Sequence, residues 1–176
     1  KAAAFAALFR ILISTSNFSG NKLEIMFWII AALTMTVGNL VAIWQNNIKR
    51  MLAYSSIAHA GYLLIALVTI KQAGPLSTGS FLFYLFVYSF MNIGAFLVVM
   101  LANKEDGTER VLIDDFSGFG LTRSGLAISM AIFMVGLAGI PPTGGFVAKF
   151  YIFSAAIKSG FLWLSIIAVL NSVISV

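Results

Sequence analysis

The feature that most constrains this chain is where its charges are missing. Residues 25–48, 51–70, 72–103, 124–148 and 159–176 contain no Asp, Glu, Lys or Arg. A helix crossing the ~30 Å hydrocarbon layer of a bilayer needs about 20 mostly apolar residues, and several of these intervals are long enough. The 176 residues are 60% hydrophobic and 10% charged, against roughly 25% charged in a soluble domain. Backbone inside lipid must satisfy its own hydrogen bonds. The expected fold is therefore all-α: a polytopic membrane helix bundle forming one transmembrane domain over 1–176.

Turn residues divide the bundle. The sequence predicts helices at about 1–14, 24–44, 49–71, 80–101, 125–158 and 161–176, with loops at Ser14–Lys22, Gln45–Asn47, 72–79 and 102–124. The chain starts at Lys1 and stops at Val176 inside an apolar run, which reads as a piece of a longer polytopic protein. Alternate loops collect Lys22, Lys71 and Lys158 on one side and Lys49, Arg50, Lys104, Arg110 and Arg123 on the other. The second side, with more basic residues, is the expected cytoplasmic one.

The net charge of +5 is scattered, which argues against a nucleic-acid partner. Without cysteine the chain forms no disulfide and holds no thiolate-bound iron–sulfur cluster of its own. One histidine and six acids, five of them within 105–115, leave no expected metal site.

The fifth element breaks its own pattern. As one helix, 125–158 would run about 50 Å at ~1.5 Å per residue, too long for the hydrocarbon core. Within it lies AGIPPTGGFVAKFY, residues 138–151. Pro141 and Pro142 have no N–H to give, so the carbonyls of Leu137 and Ala138 lose their helical partners. Gly144 and Gly145 permit backbone angles that other residues resist. The expectation is a discontinuous helix, broken at 139–145, of the kind that builds ion sites in transporters.

Lys149 follows the break. It precedes Lys158, an expected interface anchor, by about 13 Å of helix, which places it near mid-membrane. Snorkelling to the headgroups is too short a reach from that depth. Desolvation narrows the gap between ammonium and amine, and a group that passes between the two forms carries protons. His59 lies a similar ~13 Å past Arg50. It reads equally as a proton relay or as a neutral ring hydrogen-bonded to the next helix. Ser55, Ser56 and Tyr62 share its face. Tyr84, Tyr88 and Asn92 form an i, i+4, i+8 polar stripe, more in keeping with interhelical hydrogen bonds than with proton carriage. Lys49 and Arg50 open a helix beside a turn and read first as interface anchors. Lys1 would sit at mid-membrane if its helix continues upstream.

Three runs in order, GNLVAIWQNNIKRMLAYSSIAHAGYLLIAL (38–67), FYLFVYSFMNIGAF (83–96) and LAGIPPTGGFVAKFYIFSAA (137–156), resemble the subunit N family of the bacterial NADH–quinone oxidoreductases (respiratory complex I). Any one run is shared with Mrp-type sodium/proton antiporters and membrane-bound hydrogenases. The resemblance implies an inverted-repeat, antiporter-like fold of fourteen helices, of which this chain would cover the eighth to the start of the thirteenth. It implies a proton-translocating membrane subunit coupled to quinone reduction elsewhere in the complex, part of a translocase with no redox chemistry in this chain. The alternative is a subunit of an Mrp-type antiporter or of a membrane-bound hydrogenase. Lys149 would be the lysine at the exit side of the proton path, Lys1 the connecting lysine, and His59 a relay position near the second half-channel. Lys49, Ser55, Ser56, Tyr84, Tyr88 and Asn92 would support them. The uptake-side glutamate and lysine would lie upstream, so this piece alone is not expected to pump. This chain would bind no cofactor; NADH, FMN, iron–sulfur clusters and quinone would reside in partner subunits. Its partners would be neighbouring membrane subunits, antiporter-like ones among them, and lipid, in the bacterial inner membrane as a multi-pass protein.

Overall fold

The computed structural model describes residues 2–14, 21–102 and 109–175. Lys1 and Lys104 lie outside these residues. Within them the regular elements are all helical: α1 (Ala2–Ser14), α2 (Asn21–Ile43), α3 (Ile48–Val68), α4 (Ile70–Ala73), α5 (Pro75–Leu101), a 3-10 turn (Ile113–Phe116), α6 (Phe119–Thr122), α7 (Ser124–Ala138), α8 (Gly144–Lys158) and α9 (Leu162–Ile174). Three of them, Lys22–Ile43, Ile48–Val68 and Pro75–Leu101, are long and apolar enough to cross a membrane. α7 and α8, of 15 residues each, are about 22 Å long and cross only as a pair.

α3 is the central helix: residues 61–69 are buried without interruption. An apolar stripe would leave one face in lipid, so burial all round means neighbours all round. α2 packs along α3 through glycines. A Cβ on Gly38 would lie 2.6 Å from the Ala58 backbone nitrogen, and one on Gly61 would lie 2.8 Å from that of Met35. Small residues of this kind let membrane helices approach closely. α5 and α8 pack against other faces of α3, and α9 packs against α2 and α8. Leu33, Val37, Phe86, Phe90 and Ile132 remain exposed on the outside, as a lipid-facing surface requires.

The predicted loop over 72–79 is not a loop. Gly74, at φ +47°, turns the chain, and Pro75 is the first residue of α5, where its missing N–H costs nothing. Thr69 and Ser77 pair their hydroxyls at 2.9 Å, and Ser77 also donates to the Ala66 carbonyl. The polar letters here are spent on interhelical hydrogen bonds. The predicted loop over 102–124 also carries structure, the 3-10 turn and α6. It is tied back to the turn between α2 and α3: Ile48 N–H donates to the Val111 carbonyl at 3.0 Å and Ile113 N–H to that of Asn46 at 2.9 Å. Asn47 caps α3 by accepting from the Lys49 and Arg50 N–H groups. Arg123 donates to the Leu101 carbonyl at the end of α5.

Candidate functional site at the α7–α8 break

The break spans Gly139 to Thr143. α7 ends at Gly139, which is left-handed at φ +81° and ψ +39°, and Thr143 caps α8 by accepting from Phe146 N–H. Pro141 and Pro142, joined by a cis peptide bond, lie between. Gly145 is the pivot. A Cβ there would stand 1.8 Å from the Gly136 carbonyl oxygen, so the two half-helices cross with backbone against backbone. At Gly144 a Cβ would meet only ordinary contacts with Val87 and Met91.

Lys149, one turn beyond Gly145, is 3% exposed. Its ammonium donates to the Ala138 carbonyl at 2.7 Å and to the Ser172 hydroxyl at 3.0 Å, and it lies 5.2 Å from the centre of the Tyr62 ring. Pro142 cannot supply an N–H to Ala138, and the Lys149 side chain supplies one in its place. Among the described residues no carboxylate pairs with it.

His59 is buried on α3. Its Nδ1 is 2.6 Å from the Tyr84 hydroxyl, and its ring stacks on that of Tyr88 at 4.9 Å. The Tyr88 hydroxyl is buried beside Ser56. His59 and Lys149 share the wall of a small cavity of about 10 Å³ with Tyr84 and Tyr88, the space of about one water molecule. On its other side His59 opens, with Asn39, Ser55, Met134 and Ser175, onto a cavity of about 120 Å³.

Of the residues singled out from sequence, Lys149, His59, Ser55, Tyr84 and Tyr88 thus gather around two adjoining spaces, with Ser56 behind Tyr88. Asn92 is half-buried two turns along α5. Lys49 is elsewhere: it pairs with Glu109 at the surface, because its position at the start of α3 faces the segment pinned there by the Asn46 and Ile48 hydrogen bonds. Lys1 is outside the described residues. Three groups escaped sequence reasoning. Ser172 and Asn171 stand as polar letters in the apolar run of α9, and Gly139 stands just before the prolines. Asn39 donates to the Asn171 carbonyl at 2.8 Å, and Asn171 donates to Thr36 at 3.2 Å. These groups tie α9, with Ser172, to α2.

Residues 1–175 match the family described as NADH:quinone oxidoreductase/Mrp antiporter, transmembrane. The chain belongs to this family. Like other members, it is a multi-pass helical membrane protein. It is 50% identical over its whole length to NADH-quinone oxidoreductase subunit N of Trichlorobacter lovleyi, covering 35% of that protein, and 46% identical to that of Bdellovibrio bacteriovorus, covering 36%. Among solved structures it is similar to a chain of Thermus thermophilus respiratory complex I with bound aureothin (32% identity, TM-score 0.78, 98% of this chain and 36% of that one). It is also similar to a chain of an Mrp complex from Dietzia (25% identity, TM-score 0.83, 99% and 32%). The antiporter-family chain therefore spans about a third of the length of the relatives it matches.

Proposed function

We propose that this chain forms part of a proton-translocating, antiporter-like membrane subunit of an NADH–quinone oxidoreductase in a bacterial inner membrane. Its working group is Lys149. The observation that supports this most is a buried ammonium held, among the described residues, by neutral partners, at a helix break, one small cavity away from a histidine. An ionisable group buried inside a membrane helix bundle is read as functional by default. Neutral partners also leave the amine form free of an unpaired anion, so a proton can come and go. In this reading protonated Lys149 gives its proton toward His59, whose other side faces the larger cavity, and regains one from further upstream. Lys1 would be the preceding station, as the family resemblance implies. NADH oxidation and quinone reduction occur in partner subunits that carry FMN and iron–sulfur clusters. Their energy reaches this chain through neighbouring membrane subunits as a change of charge or conformation.

The second reading, an Mrp-type sodium/proton antiporter subunit, draws on the likeness to the Dietzia complex. The identity of about 50% to subunit N favours the first. The test is Lys149→Ala in the full-length subunit of the assembled complex, reconstituted in vesicles. NADH-driven proton transport is expected to fall toward the uncoupled background while the complex still assembles and oxidises NADH. Unchanged transport refutes the relay. Transport driven by a sodium gradient and indifferent to NADH favours the second reading.

A further inference from the structure

Ser172 is a candidate that the relay reading does not use. An ammonium has three N–H donors. For Lys149 the Ala138 carbonyl takes one and the Ser172 hydroxyl another, and the Tyr62 ring lies beside the charge. These partners differ in kind. A carbonyl and a ring face accept only, whereas a hydroxyl accepts and donates. Once Lys149 has released its proton, its nitrogen carries a lone pair, and of the three only Ser172 can turn an O–H toward it.

The surroundings allow that turn. The Tyr62 hydroxyl donates to the Ala168 carbonyl at 3.5 Å and has Ser172 and Asn39 beside it, so toward Ser172 it can serve as acceptor or, on turning, as donor. Ser172 accepts from the ammonium and donates to Tyr62 in one state. It accepts from Tyr62 and donates to the amine in the other. Asn39 and Asn171 hold this arrangement between α2 and α9.

The alternative position for the amine is also present. Lys149 and Ser172 line a groove of about 380 Å³ walled by Phe150, Phe153, Val169 and Val173. An amine without a hydrogen-bond donor has room to swing there, away from His59.

Resting on the relay reading above, we infer that Ser172 is a positioning residue: it holds the Lys149 nitrogen at the helix break in both its charged and its neutral form. It keeps the proton on the path toward His59 and out of the groove.

The experiment compares Ser172→Thr with Ser172→Val in the full-length subunit of the assembled, reconstituted complex. The two side chains have the same outline, and the groove has room for the added methyl groups; only threonine carries the hydroxyl. Threonine is expected to keep the wild-type number of protons moved per NADH oxidised. Valine is expected to move about tenfold fewer, the scale of one lost hydrogen bond to a charged group, at equal assembly and NADH oxidation. Equal pumping by the two variants, high or low, overturns the inference. Lys149→Ala run alongside separates the two claims. If it abolishes pumping while Ser172→Val spares it, only the positioning role falls. If it pumps normally, the relay falls and the positioning role with it.

Discussion

Replacing Gly145 by alanine adds one carbon at the closest approach of α7 and α8. That carbon would be built 1.8 Å from the Gly136 oxygen and 2.9 Å from its carbonyl carbon. A carbon–oxygen contact settles at about 3.3 Å or more, so the half-helices must part by roughly 1.5 Å there. Neither atom belongs to a side chain that can step aside. Lys149 is on the same face one turn later and moves with α8, which stretches its 2.7 Å bond to Ala138 to about 4 Å, past hydrogen-bond range. Overpacking costs about 1–3 kcal/mol, and losing a hydrogen bond to a charged group about 1.5–3 kcal/mol. The two overlap, and the expected total is about 3–5 kcal/mol. Gly144→Ala is the internal control. Its added carbon meets Val87 at 3.5 Å, and alanine in a helix is worth up to about 1 kcal/mol over glycine. Thermal inactivation of the purified complex and proton transport per NADH are the assays. Gly145→Ala is expected to lower both and Gly144→Ala neither. Equal effects from the two neighbours would refute the backbone-contact explanation.

Gly139→Ala forces a side chain into the left-handed region, at about 1–2 kcal/mol, and presses its Cβ on the Lys149 Cδ at 2.9 Å. A drop in thermal stability with reduced pumping is expected, and a melting temperature equal to wild type would contradict it. Tyr84→Phe strips His59 Nδ1 of its partner. A buried polar atom left unpaired costs about 1–3 kcal/mol, to be read from the midpoint of thermal inactivation. Lys49→Ala removes an exposed pair worth no more than about 1 kcal/mol, and pumping should stay at wild-type level. Gly38→Leu drives a side chain into the Ala58 backbone and should prevent stable insertion of the α2–α3 pair, measured as lost subunit in purified membranes.

Helices and break were legible because they depend on local chemistry: where charges stop, where N–H groups are missing. Helix rise set Lys149 and His59 well inside their apolar helices, and both are buried in the bundle. Polar residues inside apolar helices were harder. Ser77, two residues past a Gly-Pro pair, looked like a loop residue, yet it is fully buried. Periodicity records that a residue is polar and leaves open whether water or another helix receives its hydrogen bond. Ser172 and Asn171 were missed for the same reason, since their partners on other helices, Lys149 and Thr36, are 23 and 135 residues away. Lys49 reads from its helix start as an interface anchor and also groups with the polar residues supporting the relay. Its actual partner, Glu109, is 60 residues further on, and that pairing depends on how the segment at 109–116 folds back.

The order of break and lysine along the chain follows from side-chain direction. On an α-helix the Cα–Cβ bond tilts toward the N-terminus, and long side chains lie back over the preceding turn. A lysine in the second turn of α8 therefore reaches back to the helix start and arrives at whatever the break has left open. In an uninterrupted helix that would be a carbonyl already engaged by the backbone. Pro142 removes the engagement at Ala138, Gly139 clears the space for the side chain to pass, and Gly145 brings the two half-helices close enough for the ammonium to span them. Had the lysine preceded the prolines by the same interval, its side chain would have pointed away from them. The break is thus an acceptor built for one cation, and its value lies in the fixed position it gives that charge.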